Sequence, residues 1–187
     1  MASLRLFPIL LAGSIAFRPL PGSAQSLSLE DLGFSKESSA ASPQKQALMD
    51  KRAWMLKTHQ RLGLITLAPM FAALGTGNGG SEGSASARNA HAALGMLAAA
   101  MYFTTAYFAL AAPEVDEKPA RGATRIHKIL ACIHFPAMVA APVFGAVAYQ
   151  QRRRGDSVHG VGKLHVPAAM LGTTAYTLAM ISVTINF

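Results

Sequence analysis

Residues 124–154 read TRIHKILACIHFPAMVAAPVFGAVAYQQRRR. Between positions 126 and 149 this stretch holds no Asp or Glu, and three consecutive arginines close it. An α-helix needs about 20 predominantly apolar residues to cross a hydrocarbon core about 30 Å thick, and this segment supplies them. It lacks the polar face of a helix lying on a soluble domain and the strict alternation of a barrel strand. In lipid its backbone groups can be satisfied only within a helix.

Working outward, three more apolar stretches appear at about residues 62–74, 90–112 and 164–186, the first short unless it starts near His59. The connectors have turn chemistry: GTGNGGSEGSASARN, PEVDEKPARGAT and QQRRRGDS. No Asp or Glu falls inside any of the four spans. The expected fold is an all-α integral membrane four-helix bundle covering residues 53–187.

Composition agrees. Of 187 residues, 51% are hydrophobic and only 14% charged, below the usual share for a soluble domain. The formal net charge is +8, yet the basic residues stand at the ends of the apolar runs: Lys57 and Arg61, Arg88, Arg125 and Lys128, Arg152 to Arg154. Charges so placed belong to a membrane interface and argue against nucleic-acid binding. The single cysteine, Cys132, precludes an intramolecular disulfide. At the N-terminus, MASLRLFPILLAGSIAF followed by Gly22-Ser23-Ala24 reads as a signal peptide of residues 1–24, with a flexible polar tail at 25–52. That address points to a multi-pass protein of a bacterial inner membrane with its tail outside and Arg152 to Arg154 inside; an uncleaved anchor or an organelle transit peptide is the alternative, and Lys51, Arg52, Lys57 and Arg61 argue for the opposite orientation.

One histidine stands near the start of each span: His59, His91, His127 and His165. An imidazole entering lipid is costly unless it faces the bundle interior and has a partner. One per helix suits two pairs of axial ligands to haem b. A flat macrocycle also needs small neighbours, and one turn beyond each histidine lie Gly63, Gly95, Ala131 and Ala169.

An internal repeat orders these histidines. Laying 57–77 over 125–145 brings His59 onto His127, Leu62 onto Leu130 and Met70 onto Met138. Thr104-Thr105-Ala106-Tyr107 echoes Thr173-Thr174-Ala175-Tyr176, one residue out of that offset. The chain therefore reads as a duplicated two-helix hairpin. Helices one and three then enter from one face, putting His59 near His127, while His91 and either His165 or His159 lie near the other. The repeat register favours His159; the small neighbour Ala169 favours His165. His134, seven residues beyond His127, returns to nearly the same helix face and offers either an alternative ligand or packing against the porphyrin.

A histidine at the start of each of four consecutive helices, with TRIHKILACIH carrying a basic residue before two spaced histidines, resembles the cytochrome b561 family over residues 55–187. The resemblance implies a transmembrane electron carrier with two b-type haems, ligated by His59 with His127 and by His91 with His165. It also implies a small-molecule or protein electron donor and acceptor, such as a quinone or an ascorbate-like reductant, in a lipid bilayer, with a homodimer as one assembly. The chain departs from the family in lacking the flanking helices of eukaryotic members and in carrying its spaced histidines on the third helix. Two other readings are a membrane anchor for an oxidoreductase and a histidine-based metal transporter, for which Pro69, Pro136, Pro142 and Pro167 would supply helix breaks.

Overall fold

The computed structural model describes residues 42–77, 83–115 and 119–184. The expected signal peptide, and the tail as far as residue 41, lie outside the described residues. Four α-helices follow in order: α1 (Pro43–Gly75), α2 (Ala85–Leu110), α3 (Gly122–Arg153) and α4 (His165–Thr184). A short 3-10 helix, Gly160–Leu164, leads into α4. Among the described residues there is no strand.

The polar tail expected to reach residue 52 gives way to helix ten residues earlier. Ser42 caps α1 by accepting a hydrogen bond from the Lys45 amide at 3.2 Å, and Pro43 occupies the first turn, where its missing N–H costs nothing. The following QKQALMDKRAWML is rich in good helix formers, so the helix propagates through polar sequence before it reaches the apolar run. Ser84 caps α2 in the same way. Beyond α3 the chain reverses at Gly155, whose φ of +82° lies in the left-handed region that favours glycine.

Three helical stretches, Ala85–Leu110, Gly122–Arg153 and Gly160–Thr184, are long and apolar enough to cross a membrane. The first helix is long, but its apolar part is confined to the C-terminal half. The distribution of side chains is that of a protein in lipid. Leu64, Ile65, Phe71, Met96, Leu97, Ile129 and Val143 are exposed, whereas Thr66, Thr105, His134 and Thr173 are buried.

The helices pack as two antiparallel hairpins, α1 with α2 and α3 with α4. Contacts of α2 with α3 and of α1 with α4 are far sparser. Helices α1 and α3 thus stand at opposite corners, as do α2 and α4. Polar clasps join the hairpins: Tyr102 on α2 to His134 Nδ1 on α3 at 2.8 Å, Tyr176 on α4 to the Gly63 carbonyl on α1 at 3.0 Å, and Tyr149 on α3 to Asn89 on α2 at 2.8 Å. Between them lies an apolar core of Met70, Ala98, Tyr102, Met138, Tyr176 and Met180.

Candidate functional site

Each of the four span-entry histidines is oriented in the same way. His59 Nδ1 donates to the Thr105 carbonyl (2.9 Å), His91 Nδ1 to Ala73 (3.0 Å), His127 Nδ1 to Ala179 (3.1 Å) and His165 Nδ1 to Ala141 (2.9 Å). A carbonyl can only accept, so these bonds fix the proton on Nδ1 and leave the lone pair on Nε2. Each acceptor belongs to the other helix of the same hairpin. None of the four Nε2 atoms has a hydrogen-bond partner among the described residues.

The rings then meet across the gap between hairpins. His59 faces His127 with ring centres 6.0 Å apart and planes at 83°. His91 faces His165 at 5.9 Å and 80°. A metal–imidazole bond is about 2.0–2.1 Å and the ring centre lies about 1.1 Å behind the nitrogen, so two rings on one metal have centres about 6.3 Å apart if opposed and about 5.1 Å apart at a tetrahedral angle. Both pairs fall between these two arrangements, within the range that one metal could bridge. Among the described residues no group of three or more His, Cys, Asp or Glu is gathered as a metal site. Among the described residues the facing imidazoles stand as two pairs.

A regularity in the chain governs the spacing. On every helix the acceptor carbonyl comes fourteen residues after the histidine: 59 and 73, 91 and 105, 127 and 141, 165 and 179. Fourteen residues of α-helix rise about 21 Å, so the two pairs occupy two levels about that far apart along the bundle. A cleft of about 440 Å³ opens at the first level, lined by His59, His127, Ala131, Cys132, His134 and Tyr102 among others. This lies within the roughly 300–1,000 Å³ of pockets that hold cofactor-sized ligands.

The remaining candidates separate clearly. Ala131 lines the cleft, and Ala169 is half-buried. Gly63 serves packing between α1 and α4: a Cβ there would stand 3.2 Å from Met180 Sδ and 3.3 Å from Tyr176 Oη. A Cβ on Gly95 would meet no protein atom within 4 Å. His159 joins neither pair; it is exposed, and its backbone N–H and carbonyl are bonded by the Gln151 side chain. His134 lines the same cleft as His59 and His127, but its ring packs against Tyr102 and Tyr176 rather than against another imidazole, and its Nδ1 is bonded to the Tyr102 hydroxyl instead of a backbone carbonyl.

The expected register of the second helices needs correction. Tyr107 was aligned with Tyr176, yet Tyr107 is 61% exposed and Tyr176 is buried. The residue that matches Tyr176 is Tyr102, also buried and, like Tyr176, eleven residues after its histidine. The second hairpin holds six more residues between its histidines than the first, because α3 continues well past the level at which α1 ends. This insertion also explains why the uncorrected register pointed to His159.

Sequence reasoning missed Gly145. A Cβ there would lie 2.9 Å from Cε1 and Nδ1 of His165, so the imidazole is seated directly on this glycine. It missed Tyr102 as well, whose signal was present in the matching spacing of Tyr176. No protein-family model matches the chain, and no curated protein or solved structure is found to be similar to it.

Proposed function

We propose that the chain is a b-type cytochrome, similar in plan to cytochrome b561, that carries electrons across a membrane through two bis-histidine haems. The observation that supports this most is the fourfold repetition of one arrangement: Nδ1 anchored on a carbonyl, Nε2 free, and ring pairs 6.0 and 5.9 Å apart. Haem b bound between such pairs would supply a one-electron couple.

The protein's own part is to bind and orient. His59 with His127 and His91 with His165 would hold the haems, and the backbone carbonyls hold each ring and raise its basicity. Apolar residues such as Ala106, Ala109, Leu110 and Phe135 line the cleft at the first level beside His59, His127 and His134, a surface suited to the face of a macrocycle. Two levels about 21 Å apart suit passage across a hydrocarbon core of about 30 Å, which a single site could not span. Lys57, Arg61, Arg125 and Lys128 lie close in sequence to the first pair and are exposed, ready to attract an anionic donor or acceptor. The metal-transport reading has less support, because α1 and α3 run unbroken through Pro69, Pro136 and Pro142.

The test uses haem-loaded protein in vesicles that enclose ferricyanide, with an impermeant reductant outside. Wild type is expected to reduce the enclosed acceptor and His91→Ala to fail. Absence of a b-type spectrum, or equal transfer by empty vesicles, would remove the proposal.

A further inference from the structure

In the half of the bundle nearer His59 and His127 the interior is filled by aromatic rings, Tyr102 and Tyr176 standing three residues, about 4.5 Å, from Thr105 and Ala179, whose carbonyls hold that pair. Tyr102 and Tyr176 meet at 5.6 Å between ring centres, Tyr102 and His134 at 5.7 Å, and His134 and Tyr176 at 5.2 Å. All three are buried, at 2%, 4% and 8% exposure. His134 stands seven residues beyond His127, so about 10 Å along the helix, halfway to the second level. The positions eleven residues beyond His59 and His127 are Met70 and Met138, also buried. Met138 Sδ lies so close to α4 that a Cβ on Gly172 would be 2.9 Å from it. Polarizable rings and thioethers thus form a packed column from one level toward the other.

A Tyr–His–Tyr cluster is expensive in the middle of a bundle in lipid, since each polar atom needs a partner there. A clasp between hairpins could be made by one hydroxyl on a carbonyl, as Tyr176 does on Gly63. The third ring, His134, replaces what is Thr66 in the first hairpin and adds aromatic contact rather than another clasp to the backbone.

Resting on the reading of the histidine pairs as haem sites, we propose that Tyr102, His134 and Tyr176 are the aromatic half of the packed bridge through which the electron crosses between them, with Met70 and Met138 continuing it toward the second level. One electron leaves one site and one arrives at the other. The bridge is neither oxidised nor reduced, and the Tyr102–His134 hydrogen bond keeps its proton. These are positioning residues, which hold π-systems in the gap.

The experiment uses the full chain loaded with haem. Flash photoreduction injects one electron, and time-resolved visible spectroscopy follows its redistribution, with His91→Ala giving the spectrum of the first site alone. Haem content and both midpoint potentials are measured first, so a failure of the haem reading shows itself before the bridge is tested. Tyr102→Leu with Tyr176→Leu should slow redistribution by about tenfold, equivalent to about 1.4 kcal/mol of barrier. The corresponding Phe variants keep the rings and should retain the wild-type rate. If the double Leu variant does not take up haem, Tyr102→Leu alone is compared, with the Tyr176 clasp intact. An unchanged rate in a fully loaded Leu variant overturns the bridge, as does equal slowing by Phe, which would assign the effect to the hydroxyls.

Discussion

Replacing Gly145 by alanine should empty one site and spare the other. The new methyl carbon would stand 2.9 Å from Cε1 and Nδ1 of His165, where ordinary contact begins at 3.4 Å, so the ring must withdraw by about 0.5 Å. Gly145 and the acceptor Ala141 lie one turn apart on α3. Withdrawal from that helix stretches the 2.9 Å Nδ1···O bond toward 3.4 Å, past the usual limit of about 3.2 Å. Crowding of a packed interior costs about 1–3 kcal/mol, and the lost hydrogen bond about 0.5–1.5 kcal/mol. Together these give about 2–4 kcal/mol, or roughly 30- to 700-fold weaker binding at the His91/His165 site. Titrating haem into the purified apoprotein in detergent measures this directly. The expected curve has one tight equivalent, at His59/His127, followed by one weak one. Two equivalents as tight as in wild type would refute the seating of His165 on Gly145.

Other substitutions probe the assignments around the pairs. His134→Leu should leave haem content unchanged if the proposed pairs hold the haems, while the stranded Tyr102 hydroxyl lowers thermal stability by about 1–3 kcal/mol; loss of one haem would restore His134 as a ligand. Tyr176→Phe removes the clasp to Gly63 and should cost about 0.5–1.5 kcal/mol in denaturant titration, and no loss would show that clasp to be dispensable. His159→Ala should bind haem as wild type does, whereas His165→Ala loses one equivalent; the opposite pattern would favour the uncorrected repeat register.

Much of the fold is legible from hydropathy, because lipid permits so few solutions for an apolar run without carboxylates. Four helices form between the turn-rich connectors, and His59 meets His127 because helices that alternate in direction leave the first and third running the same way. The start of α1 was not legible. Its cap at Ser42 opens a polar helix with no apolar stripe to mark it, so the stretch resembles a tail. The register of α2 against α4 failed for a related reason: Thr-Thr-Ala-Tyr recurs in both helices, and short apolar words align by chance, whereas the burial of Tyr102 and Tyr176 depends on which face meets the other hairpin. The roles of Gly63 and Gly145 needed coordinates too. A small residue one turn after a histidine on its own helix is visible in the sequence, but the glycine that seats His165 lies on the neighbouring helix. The fourteen-residue interval from histidine to acceptor carbonyl was written in the chain throughout; the identity of the acceptors made it readable.

The proposed function requires each of the two histidine pairs to bind one haem. The most direct measurement is haem per chain, by a quantitative haemochrome assay, in wild type, His59→Ala and His91→Ala expressed with ample haem supply. Values near two, one and one, with a reduced-minus-oxidised spectrum of b type throughout, are the predicted result. A wild type without haem, or variants that keep the wild-type content, would contradict it.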